Sequence, residues 1–176
     1  LQGGSHLIEH MVFKGTKNLP DSLSISRLFD SMGAQYNAYT DYNMTSYHLK
    51  VQTKYVADAL NILTDMVANS LLREDDIKGE KKVVVEELRR ERDDPSALVH
   101  ELQGTIVFKG NQLGIPIGGS EKSVLDINPK QLKQFYRDHY QADNIVVSIA
   151  GNITPEQVET MISQSYLNDL PGTMVP

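Results

Sequence analysis

Cysteine and long apolar runs are absent from the 176-residue sequence, and positive charge is scarce. Without cysteine there are no disulfides, cysteine-ligated metal sites or thiol nucleophiles, so any metal would have to be held by His, Asp or Glu. The apolar run Ile145–Ala150 has only the length of a strand, far below the ~20 residues of a membrane span, so no such span is predicted. Lys and Arg number 17 against 23 Asp and Glu, which argues against a nucleic-acid partner.

Length and composition are those of an ordinary globular domain. At roughly 150 residues per domain, the chain corresponds to about one domain. Hydrophobic residues make up 40% and charged residues 23% of the sequence, which excludes a disordered or fibrous chain. We therefore expect a single core within residues 1–176.

Hydrophobic periodicity and capping residues predict many helices and few strands. Helices are expected at about 5–14, from Asp21 or Ser22 to just before Gly33, and at about 54–69, 74–93, 95–110, 129–140 and 154–166; strands are expected at 36–42, 45–52 and 144–151. The three valines Val83–Val85 predict a buried turn in the 74–93 helix and leave a strand as the alternative there. The mixed order of elements predicts an α+β fold, with a mixed or antiparallel sheet packed against several helices.

Two histidines and a glutamate near the N-terminus form the pattern HxxEH, which spans His6 to His10. On a helix, His6 and His10 lie on one face, where both imidazoles can reach the same metal. Glu9 shares that face approximately and can reach a metal-bound water rather than the metal itself. This is the inverted zincin arrangement, and it predicts a metal centre rather than two unrelated core or surface histidines.

The third ligand is expected from the acidic helix in the middle of the chain, because a catalytic zinc takes three protein ligands and leaves the fourth position to water. The candidates are Glu80, Glu86, Glu87 and Glu91. Glu87 is expected to have buried neighbours in Val83, Val84 and Leu88, and a carboxylate in apolar surroundings is costly unless it is paired or binds a metal. We choose Glu87 as the ligand and Glu80, two turns earlier on the same face, as its support. A role for Glu80 at the positive end of the helix dipole stays open.

A glycine pair in the loop before the last third of the chain is a second candidate motif. Gly118 and Gly119 could form a phosphate-binding nest. No Lys-Ser/Thr pair follows them in P-loop register, so a phosphate site is not predicted.

At four places the sequence resembles the pitrilysin and insulin-degrading family of zinc peptidases, in particular the branch of the processing peptidases. The matching stretches are HLIEHMVFKGT (6–16), GAQYNAYTDYNMTSY (33–47), EKKVVVEE (80–87) and YQADNIVVSIAGN (140–152). In that family a second glutamate follows the HxxEH motif by some 76 residues, with another acidic residue seven positions before it. Glu87 and Glu80 fit this pattern. The resemblance implies a metallopeptidase fold like that of LuxS and the processing peptidases.

The resemblance also implies the role of each site residue. His6, His10 and Glu87 would bind Zn²⁺, Glu9 would be the general base, and Glu80 would support catalysis. Asn37 and Ala38 would lie on a sheet edge beside the substrate, where unpaired backbone groups can bind an extended peptide. Manganese or cobalt could occupy the same ligands in vitro.

The implied function is hydrolysis of peptide bonds in a peptide or unfolded polypeptide through a metal-activated water. We expect residues 1–176 to be an incomplete N-terminal metallopeptidase domain, weakly active or inactive without a second, homologous substrate-clamping domain or subunit. The alternative is a non-catalytic structural or peptide-binding subunit of a processing-peptidase-like assembly. An intact set of ligands favours the enzyme.

Overall fold

Helices dominate the computed structural model, which describes residues 1–172, and a single hairpin supplies its regular strands. The elements are α1 (Gly4–Val12), α2 (Ser22–Ser31), β1 (Gln35–Thr40), β2 (Thr45–Lys50), α3 (Val56–Asn69), α4 (Glu74–Asp93), α5 (Pro95–Val107), α6 (Glu121–Asp126), α7 (Pro129–His139) and α8 (Pro155–Ser163). The predicted α+β class is confirmed. No helix in the described part is long and apolar enough to cross a membrane.

Side-chain caps begin several of these helices where the sequence predicted them. The Asp21 carboxylate accepts the Ser24 N–H at 2.7 Å and starts α2. Asp94 caps α5 in the same way, with Pro95 at the first helical position. Such caps satisfy backbone N–H groups that have no partner inside the helix.

The two strands form an antiparallel hairpin with a tight end. The Asp41 N–H donates to the Met44 carbonyl at 2.8 Å. One step further from the turn, the hydroxyls of Thr40 and Thr45 lie 3.2 Å apart across the strands. Within residues 1–172, no other strand joins this sheet.

The strand predicted at 144–151 is wrong. Ala142–Asn144 form a 3₁₀ turn, and the following residues have no regular structure. Val146 is 93% exposed. A strand needs a neighbour for its backbone hydrogen bonds, and among the described residues none pairs with this segment.

Helix α4 resolves the ambiguity of the three valines, since residues 74–93 are helical throughout. The expectation that all three are buried is wrong. Val84 and Val85 are buried, but Val83 is 44% exposed. Successive residues on a helix point about 100° apart, so three in a row cannot all face the core. Helix α6 was not predicted, although Ser120 and Ser123 cap it reciprocally.

The chain divides into two compact units, each with its own buried residues. The first unit comprises Leu1–Met11, Tyr39–Ser46 and Leu72–Lys133. In it, α4 packs against α5 and α6. Its buried apolar residues include Leu7, Ile8, Met11, Ile77, Val84, Leu88, Val124 and Leu132.

The second unit comprises Val12–Ala38, Tyr47–Leu71 and the chain from Gln134 onward. Its buried apolar residues include Val12, Ile25, Phe29, Ala59, Met66 and Leu167. A buried carboxylate, Asp65, accepts hydrogen bonds from Thr16 at 2.5 Å and from Asn69 at 2.8 Å. The bond from Thr16 joins the loop after α1 to helix α3 within this unit, whereas Asp65 and Asn69 both lie on α3.

Candidate metal centre

Helix α1 brings the two histidines of the HxxEH pattern together. The helix is anchored by Leu7, Ile8 and Met11, which are fully buried. This packing fixes the opposite face, on which the His6 and His10 rings meet edge to face with centroids 4.8 Å apart. Their Nε2 atoms are 3.2 Å apart. Two imidazole nitrogens so close together are suited to binding one cation between them.

Glu87 on α4 completes a three-atom cluster. Its Oε2 lies 3.3 Å from His10 Nε2 and 3.9 Å from His6 Nε2. The neighbouring Val84 and Leu88 are buried and hold this part of α4 in the first unit. The Glu87 side chain itself is 34% exposed, so it is less enclosed than its sequence neighbours suggested.

These three atoms fit a tetrahedral metal. With zinc–ligand bonds of about 2.0–2.1 Å, tetrahedral ligand atoms are separated by about 3.3 Å. The observed separations of 3.2, 3.3 and 3.9 Å lie near that value. Two imidazole nitrogens and one carboxylate oxygen are a ligand set known for catalytic zinc, with one coordination position left for water. No other group of this kind occurs among residues 1–172.

Glu80 orients His10 from the side opposite the cluster. Its Oε1 lies 3.0 Å from His10 Nδ1. The Glu80 side chain is only 8% exposed, although it is a carboxylate. The first turn of α4 contains the acidic residues Glu74, Asp75 and Asp76. Glu80 lies beyond this turn, so the helix dipole gives its carboxylate little stabilisation. The hydrogen bond fixes the His10 ring with Nε2 toward Glu87.

Glu9 lies on the same helix and bonds to a different element. Its Oε2 accepts a hydrogen bond of 2.5 Å from the Thr40 hydroxyl at the end of β1. Thr40 also lies 3.2 Å from the Thr45 hydroxyl. The hairpin therefore holds one carboxylate oxygen of Glu9 in place.

The pKa values of the two histidines are shifted in opposite directions. Burial, and then the adjacent His10, lower the pKa of His6 despite the nearby carboxylates. Burial also acts to lower the pKa of His10, but the hydrogen bond to Glu80 and the charge of Glu87 outweigh it and raise that pKa. His10 is therefore the imidazole that holds a proton more readily, and a metal would have to displace that proton.

The sequence profile described as insulinase (Peptidase family M16) matches residues 1–121. This is more than half of the chain. The chain belongs to peptidase family M16. The predicted relation to the pitrilysin and insulin-degrading peptidases is thereby confirmed, and a second profile, the Peptidase M16 inactive domain, matches residues 126–175.

Individual relatives of this M16 chain are named as proteases or as subunits. It is 38% identical over 154 residues to the uncharacterized zinc protease YmxG of Bacillus subtilis, covering 88% of this chain and 37% of that protein. It is 30% identical to the mitochondrial-processing peptidase subunit beta of Dictyostelium discoideum, covering 94% of this chain and 35% of that protein. The M16 chain thus spans little more than a third of the length of these relatives.

Solved structures show the same fold. A protease from Helicobacter pylori superimposes with a TM-score of 0.91 at 22% identity, over 99% of this chain and 42% of that one. The ferredoxin protease FusC superimposes with a TM-score of 0.85 at 26% identity, over 99% of this chain and 20% of that one. The helix-rich α+β architecture of the M16 chain is that of known proteases.

The predicted substrate residues of this M16 chain lie on β1, in the second compact unit, whereas His6, His10 and Glu87 lie in the first. Asn37 is exposed, and its Oδ1 accepts the Ala38 N–H at 2.9 Å. Their role in binding a peptide stays a prediction.

One residue of the site in this M16 chain, Thr40, was missed from the sequence. Its position in a strand rich in aromatic residues and threonine gave no signal that distinguishes it from ordinary sheet packing. Only the fold brings it to Glu9.

Proposed function

We propose that this chain is the metal-binding domain of a zinc-dependent endopeptidase, with His6, His10 and Glu87 as ligands and Glu9 as general base. The observation that carries the proposal is the set of separations of 3.2, 3.3 and 3.9 Å among three ligand atoms. The similarity to relatives named zinc proteases supports zinc as the metal.

The residues around the metal divide the chemistry between them. When bound, zinc supplies Lewis acidity that lowers the pKa of a water to about 7 and polarises the scissile carbonyl. Glu9 accepts the proton of the attacking water at Oε1, because Oε2 is engaged by Thr40. It then gives the proton to the leaving amine. Glu80 acts through His10, whose ring it orients, and does not contact the reacting atoms.

The substrate in this proposal is a peptide or an unfolded polypeptide in extended conformation. In an antiparallel hairpin, backbone groups point alternately toward the partner strand and away from it. The Asp41 N–H bonds to the Met44 carbonyl, so the backbone groups of every second residue before Asp41 point toward β2. The backbone N–H and C=O of Asn37 therefore point toward β2, and those of Ala38 point toward the opposite edge of β1. An extended peptide could pair along that edge, and it would replace the Asn37 side chain that accepts the Ala38 N–H.

A complete enzyme in this proposal also uses a second homologous domain or subunit that closes on the substrate. Two observations support it: the chain spans 37% of the Bacillus subtilis relative, and another relative is named as a beta subunit of a processing peptidase. We therefore expect residues 1–176 to act as the N-terminal metal-binding domain, with little peptidase activity by themselves.

A non-catalytic subunit is the second candidate function. The chain is 29% identical to subunit 1 of the bovine mitochondrial cytochrome b-c1 complex, a relative that is named as a subunit of a complex and not as a protease. Loss of a ligand or of the general base would favour this alternative. His6, Glu9, His10 and Glu87 are all present here, which favours the enzyme.

Zinc content tests the ligand assignment, and hydrolysis distinguishes the enzyme from the non-catalytic subunit. We expect the purified full natural polypeptide to hold about one zinc per chain, Glu87→Gln to lose most of it, and Glu86→Gln to keep it. Glu86 is the matched control, because it is exposed and pairs with Arg89 at 2.6 Å. Glu9→Gln should keep zinc and lose hydrolysis of an unfolded test protein. Equal zinc in Glu87→Gln and wild type would contradict the ligand assignment, and zinc binding without any hydrolysis would support the non-catalytic subunit.

A further inference from the structure

The two histidines of the metal centre are oriented in different ways. His10 Nδ1 is bonded to Glu80 at 3.0 Å. His6 Nδ1 is also buried, but it has no hydrogen-bond partner among residues 1–172. A histidine that binds a metal usually donates its second ring N–H to an acceptor, which fixes the ring. His6 must be held by something else.

The loop before α6 lies against the unpaired side of the His6 ring. A Cβ built on Gly118 would be 3.5 Å from His6 Nδ1 and only 2.7 Å from Leu88 Cδ2. Leu88 directly follows Glu87 on α4 and is buried. The space beside the Gly118 Cα is therefore bounded by side chains from both of the helices that supply the ligands, and the missing side chain of Gly118 leaves this space open to them.

The loop backbone is fixed at the start of α1. Gly3 has φ +76°, and a Cβ there would be 2.6 Å from the Gly118 carbonyl oxygen. The Gly3 carbonyl accepts the Leu7 N–H at 3.0 Å in the first turn of α1. The Gly119 N–H donates to the Pro116 carbonyl at 2.9 Å, which closes the loop into a turn. The position of Gly118 is thus tied to the helix that carries both histidines.

We propose that Gly118 is a positioning residue of the metal centre. Its missing side chain leaves room for the His6 ring and for Leu88 beside the loop, and so sets the spacing between His6 on α1 and Glu87 on α4. Gly118 does for His6 by close packing what Glu80 does for His10 by a hydrogen bond. The proposal rests on the proposed function, because it assumes that these residues bind a metal.

A methyl group at this position is the direct test. Gly118→Ala places a Cβ inside the radius of Leu88, so either Leu88 or the loop must move. We expect the zinc dissociation constant of the full natural polypeptide, measured by competition with a chromophoric chelator, to rise by up to about tenfold, because the end of the Leu88 side chain can take up part of the overlap. The absorption spectrum of the cobalt-substituted protein should change as well, because it reports ligand geometry rather than stability.

Two further variants separate positioning from folding. Gly79→Ala is the matched control on α4, since a Cβ there meets nothing within 4 Å, and it should leave zinc affinity unchanged. Leu88→Val removes the Cδ2 atom that the added methyl group would meet, so the double variant should regain zinc affinity and the wild-type cobalt spectrum.

The outcomes distinguish this proposal from the proposed function. Wild-type affinity and spectrum in Gly118→Ala would overturn the role of Gly118 alone. A loss of affinity that Leu88→Val fails to restore would also overturn it, because the loss would then come from general unfolding of the loop. A wild-type protein that binds no zinc would overturn both proposals.

Discussion

The Thr40 hydroxyl donates a 2.5 Å hydrogen bond to Oε2 of Glu9, which links the end of the hairpin to the helix that carries both histidines. A carboxylate on a helix surface can adopt several rotamers, and this bond selects one of them. In the proposed mechanism, the bond decides which oxygen receives the proton and where that oxygen lies.

Removing the Thr40 hydroxyl should impair catalysis without removing the metal. A hydrogen bond to a charged group contributes about 1.5 kcal/mol or more, so Thr40→Val should lower kcat/KM of the complete enzyme by about tenfold or more. Zinc content should stay at the wild-type level. Thr45→Val is the control, because it leaves the bond from Thr40 to Glu9 intact. Full activity in Thr40→Val would show that Glu9 does not need this partner.

Glu80 should affect the metal through His10. Glu80→Gln replaces the charged acceptor at 3.0 Å with a neutral one, which weakens the orientation and basicity of the imidazole. Loss of such a partner typically costs 10- to 100-fold in metal affinity, and we expect a zinc dissociation constant raised by about that factor. Glu86→Gln, on the exposed face of the same helix, serves as reference. Identical zinc affinities in Glu80→Gln and Glu86→Gln would show that Glu80 does not support metal binding.

Tyr136 should make the second unit sensitive to alkaline pH. Burial raises the pKa of its phenol to about 12, and its hydroxyl donates to the Val67 carbonyl at 2.6 Å. Because the pKa in the unfolded chain is lower, near 10, this contribution is complete below pH 10 and is lost as pH rises toward 12. The free energy of unfolding should fall by about 2–3 kcal/mol over that range in wild type.

Tyr136→Phe supplies the comparison for this pH effect. It should be less stable at neutral pH by about 1 kcal/mol, because the Val67 carbonyl loses its donor. It should also lack the alkaline decrease attributed to the phenol. Chemical denaturation between pH 9 and pH 12 measures both quantities, and parallel curves for the two proteins would rule out the effect.

Asp65 should be among the most sensitive polar positions of the second unit. Both of its oxygens accept hydrogen bonds, from Thr16 at 2.5 Å and from Asn18 and Asn69 at 3.1 and 2.8 Å. Asp65→Asn replaces one carboxylate oxygen with an amide NH₂ group, which cannot accept the hydrogen bond donated to that oxygen. We expect the free energy of unfolding to fall by about 2–4 kcal/mol. Asp58→Asn on the exposed side of the same helix should cost under about 1 kcal/mol. Equal losses at the two positions would contradict this account.

Local signals in the sequence were sufficient to predict much of this fold and of its candidate site. The spacing of His6 and His10 depends only on helix geometry, and their Nε2 atoms are indeed close together. Asp21 and Pro95 likewise begin helices through interactions within a few residues. The choice of Glu87 among four acids required the apolar pattern of α4 as well, and its carboxylate lies within 3.9 Å of both histidines.

Features that depend on distant parts of the chain were not predictable in this way. Gly118 comes close to His6 and Leu88 through the path of a loop, which has no periodic pattern. Residues 145–150 have the composition of a strand, but a strand forms only where another one is available to pair with it. Val83 shows the same limit, since β-branched composition says nothing about which side of a helix faces the core.

The three ligand atoms of the proposed metal centre come from two helices, α1 and α4, that are far apart in the sequence. An ion held by His10 and Glu87 would therefore act as a reversible cross-link, closing the long chain segment between them in the same way as a disulfide closes a loop. At free zinc a thousand times the dissociation constant, that link would be worth about 4 kcal/mol. A chelator would then destabilise the first unit selectively, and the melting temperature of that unit would depend on the free zinc concentration.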